Sequence, residues 1–90
     1  MEKYENPLER VLTDARLSPT ARIVALYLVV VPDGTRLGSE HIREKLGLGE
    51  GAWKNARRQL IDTGYMTHFR QHNSEGRVEW VFEFTDIPQK

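Results

Sequence analysis

Hydrophobic positions along the chain recur with two different periods. In the middle of the chain they recur every three to four residues, as in an α-helix, and near the C-terminus every two, as in a β-strand. Ser18-Pro19 predicts the start of the first long helix, because serine caps a helix and proline suits its first position. Pro32-Asp33-Gly34 predicts the turn that ends it. The helix face expected to be buried consists of Ile23, Leu26, Tyr27 and Val30.

The same helix carries a second apolar stripe, formed by Val24, Leu28 and Val31. A helix that is apolar on two faces either lies at the centre of its domain or presents one face to another protein. We therefore expect this second stripe to be the surface through which the protein forms a homodimer, together with the segment before Ser18.

Two further helices follow a short segment, 35–37, that is long enough only for a small edge strand. One is predicted over 39–46, with Gly47 well placed at its C-terminal end. The other is predicted over 50–63, after the tight turn Gly47-Leu48-Gly49, and Gly64 ends it. Its inward-facing residues are expected to be Trp53, Ala56 and Leu60.

The remainder of the chain predicts a β-hairpin with strands over 65–71 and 78–84. The connection between them, 72–76, is polar and rich in turn-forming residues. Alternation in the second strand places Val78, Trp80, Phe82 and Phe84 on one apolar face. We therefore expect Trp80, like Trp53, to pack in the core, since stacking on a base would require it to be exposed.

The order of these elements predicts an α+β fold that is mainly α. Two helices joined by a short, glycine-containing turn and followed by a hairpin are typical of a winged helix-turn-helix. The predicted domain has three helices and a C-terminal two-stranded wing over residues 18–85. Residues 1–17 are expected to form an N-terminal arm with one short helical turn near Leu8–Leu12, and residues 86–90 a tail.

The composition of the chain bears on its cellular location and on its charge distribution. The chain has no cysteine, and no apolar run approaches the roughly 20 residues of a membrane span. The first residues are charged, which is unlike a secretory signal. These features favour a cytoplasmic protein that does not enter a membrane. The formal net charge is zero, but residues 51–77 contain five bases and only two acids, and such local concentrations of charge matter for partners.

The basic block contains the candidate DNA-binding residues. In a helix-turn-helix, the second helix enters the major groove. The face of helix 50–63 opposite Trp53 carries Gly51, Lys54, Asn55 and Arg58, whose side chains include donors suited to guanine and adenine. Arg57 lies nearer the buried side and is expected to contact a phosphate.

The wing offers candidates for the phosphate backbone or minor groove, namely Arg70, His72, Asn73 and Arg77.

No other chemistry is indicated. The three histidines, His41, His68 and His72, lack the spacing of a metal site. No activated nucleophile or acid/base pair is evident, so we expect no catalysis, cofactor or small-molecule substrate.

Several short stretches resemble a family of bacterial and phage helix-turn-helix domains found in replication initiators, including DnaD-like N-terminal domains, and in small regulators on mobile elements. They are Leu12-x-Asp14-x-x-Leu17-Ser18-x-x-Ala21, Leu26-Tyr27-Leu28, Pro32-Asp33-Gly34, Ile42, Leu46-Gly47-Leu48, Leu60, Gly64-Tyr65 and Gly76-Arg77. The resemblance implies the same winged fold and DNA binding. Arg57 departs from the family, which usually has an apolar residue there, and so do Gly49 and Gly51.

The leading hypothesis is a transcriptional regulator of a bacterium, phage or mobile element that binds double-stranded DNA as a homodimer. One alternative is a replication or partition initiator domain of a plasmid or phage, which would use the same interface. An alternative from another class is a protein-interaction module, in which the twice-apolar first helix assembles with a partner and the basic block is solvated.

Overall fold

The computed structural model describes residues 7–32, 36–72 and 74–85. They form a small α+β structure that is mainly helical, with four helices and a three-stranded antiparallel sheet. In chain order the elements are α1 (Pro7–Thr13), α2 (Pro19–Val30), β1 (Leu37–Gly38), α3 (Ser39–Leu46), α4 (Glu50–Thr63), β2 (Met66–His72) and β3 (Val78–Phe84).

The limits of α2 follow the sequence signals. The Ser18 hydroxyl accepts a hydrogen bond from the Ala21 N–H at 3.2 Å, and Pro19 occupies the first turn. The helix ends at Val30, and Val31 is extended. A residue before proline is disfavoured in the helical region, which accounts for the stop before Pro32. The rest of the predicted turn, Asp33-Gly34, lies outside the described residues.

The buried face of α2 is the opposite of the one predicted. Its buried residues are Ala21, Val24, Ala25 and Leu28. Ile23 and Val30, expected in the core, are 51% and 69% exposed. Counting large apolar residues favours the wrong stripe here, because two of the buried positions are alanines. Small side chains allow a neighbouring helix to approach closely.

The predicted dimerisation stripe is therefore wrong for two of its three residues. Val24 and Leu28 belong to the hydrophobic core and are buried within one copy of the chain. Val31 is half-buried. A second copy could reach Val24 and Leu28 only if the core opened.

The segment expected to be an arm contributes to the core. Helix α1 has seven residues rather than a single turn and packs against α2. Val11 and Leu17 are both buried in the main cluster. Residues 7–17 therefore contribute to the fold, and the described residues contain four helices where three were predicted. Residues 1–6 of the predicted arm and the predicted tail, 86–90, lie outside the described residues.

Gly47 ends α3 and Gly64 ends α4. Gly47 and Gly64 both have left-handed backbone angles, with φ of 67° and 91°. The next residues, Leu48 and Tyr65, donate backbone hydrogen bonds to the carbonyls of Arg43 and Leu60, both at 2.9 Å. This pattern satisfies the last carbonyls of α3 and α4 and turns the chain sharply.

The strands are arranged in the order β1-β3-β2. β2 and β3 form the predicted hairpin, with Met66 opposite Phe84 and His72 opposite Val78. β1 pairs with the other side of β3, Leu37 opposite Phe82. The predicted small edge strand is thus confirmed, shifted toward the C-terminus. Thr35 lies outside the described residues.

One hydrophobic core joins the helices to the base of the sheet. The buried cluster draws on all four helices and on the end of the hairpin nearest them. Its members are Val11, Leu17, Ala21, Val24, Ala25, Leu28, Ile42, Trp53, Ala56, Leu60, Tyr65, Met66 and Phe82.

Candidate nucleic-acid interface

The outward face of α4 carries most of the residues predicted to contact DNA. Trp53, Ala56 and Leu60 are buried, as expected. Gly51, Lys54, Asn55 and Arg58 are exposed on the opposite side, and Arg57 is half-buried between the two faces. The Ser18 N–H donates to Gln59 Oε1 at 2.7 Å, which ties α4 to the start of α2.

Two of these side chains are joined. Arg58 Nη2 donates to Asn55 Oδ1 at 3.0 Å. The bond is between residues three apart on one helix face, the spacing at which side chains meet. The bond uses the Asn55 carbonyl oxygen and one Arg58 amino group, and both side chains are exposed on this face of α4.

The first turn of α4 lacks a side-chain cap and contains one exposed acid, Glu50. Gly49 is the N-cap and makes no side-chain capping bond. A Cβ added at Gly49 or Gly51 would have nothing within 4 Å, and neither has a positive φ. The fold itself therefore does not require glycine at these positions. Glycine here lets another molecule approach the backbone closely.

The β2–β3 hairpin has two unlike faces. Since side chains alternate along a strand, the register assigns each paired residue to one face. We call the face directed toward α4 the inner face: Met66, His68, Arg70, His72, Val78, Trp80, Phe82 and Phe84. The outer face consists of Thr67, Phe69, Gln71, Glu79, Val81 and Glu83.

The two faces differ in charge. The inner face carries one arginine and two histidines and no acid, whereas the outer face carries two glutamates and no base of its own. Arg36, just before β1, covers the Phe69 ring at 4.2 Å and lies 3.6 Å from Glu83. The positive charge of Arg36 is therefore partly balanced by the carboxylate of Glu83 on the outer face.

A groove of about 400 Å³ separates α4 from the inner face. Its walls combine cations, aromatic rings and one acid. They are Arg57, Arg58, Ile61, Asp62, His68, Trp80 and Phe82. The groove therefore brings two arginines of α4 next to apolar and aromatic side chains, with Asp62 as the one acid among its lining residues.

Trp80 is not a core residue, contrary to the prediction. It is 47% exposed, and its neighbour on the same face, Val78, is exposed as well. Seven residues of strand extend about 23 Å, so the hairpin continues past the helices that cover Phe82 and Met66. Alternation assigns all these residues to one face but does not show where the core ends.

His68 and Trp80 line the groove, and the sequence prediction did not include them among the candidate residues. His68 stacks on Trp80 with 4.8 Å between ring centroids, and also on Phe82 at 6.5 Å. The missed signal was register: pairing the two predicted strands places His68 and Arg70 beside these aromatic residues.

The predicted residues of the hairpin are only partly brought together. Arg70 and His72 are exposed on the inner face. Arg77 is exposed in the turn, and its guanidinium lies 3.6 Å from Glu75. Its charge is therefore partly matched by an acid. Asn73 lies outside the described residues.

The base of the hairpin is anchored by the clearest electrostatic cluster. Tyr65 donates its hydroxyl to Asp14 Oδ2 at 2.8 Å, and Arg16 binds the same carboxylate at 2.7 Å. The hydrogen bonds from Arg16 above all hold the pKa of Asp14 well below its usual range. Burial raises the pKa of Tyr65. This cluster fixes the chain just before β2 to the loop between α1 and α2.

In the described ranges, no group of three or more histidine or acidic side chains is arranged to hold a metal ion. None of the helices described combines the length and apolarity that crossing a membrane demands. Comparison with models of known protein families gave no match, and comparison with curated proteins gave no significant match.

Proposed function

We propose that this chain is a winged helix-turn-helix domain that binds double-stranded DNA. The observation that carries the proposal is the shared groove. There the exposed polar face of α4 meets a hairpin face that has cations and no acid. The turn between α3 and α4 and the strand order β1-β3-β2 support it, because together they present α4 and the hairpin on one side.

In this proposal α4 enters the major groove and the hairpin is the wing. Lys54, Asn55 and Arg58 meet base edges, since their donors match those of guanine and adenine partners. Arg57, at the edge of the groove, contacts phosphate. Arg70 and His72 on the inner face contact the backbone or minor groove beside it. No catalytic step is assigned to this surface.

The biological role proposed is regulation of transcription in a bacterium, phage or mobile element. A replication or partition initiator would use the same interface, because both roles begin with recognition of a duplex. The DNA fragment selected from a genomic or random pool distinguishes them: sites beside a promoter support regulation, and repeats at an origin support initiation.

Binding of labelled duplexes from a random pool, followed by fluorescence anisotropy between 50 and 200 mM salt, tests the proposal. Each phosphate contact contributes about −0.9 to the slope of log K against log salt. Arg58→Ala and Lys54→Ala are each expected to cost about 1–3 kcal/mol of binding free energy if they read bases.

Arg36→Ala is the matched control, because it removes the same charge from the outer side of the sheet. Its affinity should stay within about twofold of the wild type, an effect typical of an exposed charge. Absence of any salt-dependent binding, or equal losses in Arg58→Ala and Arg36→Ala, would contradict the proposed interface.

A protein-interaction module is the second candidate. The observation that favours it is the solvent-facing side of α2. There Ile23 and Val30 are exposed beside half-buried Leu26 and Tyr27. An apolar interface of this kind is nearly indifferent to salt, whereas phosphate contacts weaken steeply as salt rises. The salt titration therefore separates the two candidates.

We also propose that the protein binds DNA as a homodimer, since a single reading helix covers few base pairs and dimers read two half-sites. With Val24 and Leu28 buried, the most exposed large apolar residues of α2 are Ile23 and Val30. Sedimentation of the wild type and of Ile23→Ser/Val30→Ser tests this. A dimer in both proteins would place the interface elsewhere, and a monomer mass for the DNA complex would contradict dimerisation.

A further inference from the structure

Four planar groups form a ladder across the inner face of the hairpin. Phe82 lies in the core, His68 stacks between Phe82 and Trp80, and the Arg70 guanidinium carbon lies 5.8 Å from the centre of the Trp80 ring. The register explains the ladder, because His68 is opposite Phe82 and Arg70 is opposite Trp80. The ladder runs from the buried base of the hairpin to its exposed part.

Within the described residues, the Arg70 guanidinium lies over the Trp80 ring and forms no ion pair with an acid. A guanidinium over an aromatic ring is attracted to the ring's electrons and keeps its full charge. Arg36 on the outer side shows the alternative, since it lies over Phe69 but also against Glu83. An arginine held by a ring alone keeps its positive charge for an anion, and less side-chain freedom is lost when the anion binds.

We propose that Trp80, supported by His68, is a positioning residue. It holds Arg70 against a phosphate of the DNA strand that lies between α4 and the hairpin. The inference rests on the proposed DNA binding and adds to it a role for an exposed tryptophan. Trp80 acts through Arg70 and need not itself touch a base. Its exposure follows from its place on the ladder beyond the core.

A double-mutant cycle on DNA binding tests the inference, using Arg70→Ala, Trp80→Ala, Trp80→Phe and the double alanine variant. Arg70→Ala should reduce the salt slope by about 0.9, the value of one phosphate contact. Trp80→Ala should reduce both affinity and slope, and the double variant should lose little beyond Arg70→Ala. Trp80→Phe should recover most of the slope, because phenylalanine also presents a ring face to Arg70.

Phe69→Ala is the matched control, since it removes the ring beneath Arg36 on the outer face. Its salt slope should equal that of the wild type. Trp53 is buried in the core, so its fluorescence reports directly whether each Trp80 variant is folded. A loss of affinity in Trp80→Ala that adds fully to that of Arg70→Ala, with an unchanged slope, would overturn the inference and indicate a direct stacking contact instead.

A measurement without DNA distinguishes failure of this inference from failure of the proposed function. In the folded wild type, the Arg70 side-chain protons should resonate upfield of those in Trp80→Ala, because they lie over the ring. Absence of that NMR shift overturns the positioning role even if DNA binds. Presence of the shift in a protein that binds no duplex at any salt concentration removes the phosphate part of the inference together with the proposed function.

Discussion

The two faces of the β2–β3 hairpin share a backbone and a length, yet they have different compositions. The inner face passes from core to solvent through rings and cations without an acid, while the outer face has two glutamates and a cation matched to one of them. An exposed polar surface would normally mix both signs. The inner face lacks that mixture on the side that faces α4, where our proposal places DNA.

The difference also shows that the side chains of the inner face have two roles, packing in the core at one end and presenting an exposed arginine at the other. At the base of the hairpin the inner face packs against Trp53, whose ring meets Phe82 edge-on at 5.2 Å. Further along, the same face is open to solvent, as the exposure of Trp80 and Val78 shows. The stacked rings therefore connect a rigid core to an exposed arginine, and stability and binding should respond to mutation at different positions of the same row.

The largest expected effect is on stability at the buried end of that row. Phe82→Ala should lower the free energy of unfolding by about 3–5 kcal/mol, because it leaves a cavity beneath Trp53. Phe69→Ala, on the half-buried outer face, should cost clearly less. Urea unfolding followed by circular dichroism measures both, and equal losses would mean that the two faces contribute alike to the core.

The next largest effect concerns the anchor at the base of the hairpin. Asp14→Asn should lower the free energy of unfolding by about 1.5–3 kcal/mol, toward the lower end because Arg16 is half exposed and its ion pair is screened. The folded-state pKa of Asp14 is depressed. Its stabilisation is therefore complete above the unfolded-state pKa of about 3.9 and is lost as pH falls through the lower folded-state pKa.

Unfolding of both proteins at pH 7 and at steps down to pH 2 checks this dependence. The gap between wild type and Asp14→Asn should be constant near neutrality and narrow in acid. Glu44→Gln, which changes an exposed carboxylate on α3, is the control. A gap that stays the same down to pH 2 would show that the charge of Asp14 is not what anchors Tyr65.

A smaller effect distinguishes the faces by adding charge instead of removing it. His72 and Gln71 are adjacent and exposed, but they lie on the inner and outer faces. We expect His72→Lys to steepen the salt slope of DNA binding by up to about 0.9, as one added phosphate contact would. Gln71→Lys should leave the slope nearly unchanged, and equal steepening would mean that DNA does not distinguish the faces.

The smallest effect is expected on α4, opposite the inner face. Gly51→Ala should raise the free energy of unfolding by about 0.5–1 kcal/mol, because alanine favours a helix and its Cβ meets open space. The added methyl group should at the same time weaken DNA binding, since it keeps the first turn of α4 away from the major groove of the DNA. Lys45→Ala, at an exposed position of α3, is a control for both measurements. Stabilisation with unchanged affinity would show that DNA does not approach Gly51 closely.

Local signals in the sequence were sufficient where one helix or hairpin decided the outcome. Periodicity and end residues predicted the buried side of α4 and thereby the exposure of Lys54, Asn55 and Arg58. Glycines at 47 and 64 marked the helix ends, because no other residue takes a left-handed conformation so easily. Alternation and the polar connection predicted the hairpin.

The errors occurred where packing between elements decides. Both stripes of α2 are apolar, so the choice between them depends on where α4 lies and on the small size of Ala21 and Ala25. The burial of Val11 depends on α2 in the same way. Trp80 belongs to an apolar row, but its exposure depends on how far the helices reach along the sheet. None of these quantities is local in sequence.

β1 has only two residues, yet it joins β3 at positions about 45 residues away along the chain. Closing so long a loop costs entropy that two pairs repay poorly. We therefore expect this edge to form late, after the helices and hairpin have assembled around it. Substitutions at Leu37 should therefore shorten the lifetime of the native protein while leaving its folding rate almost unchanged. The smallest strand would then act on the kinetics of unfolding.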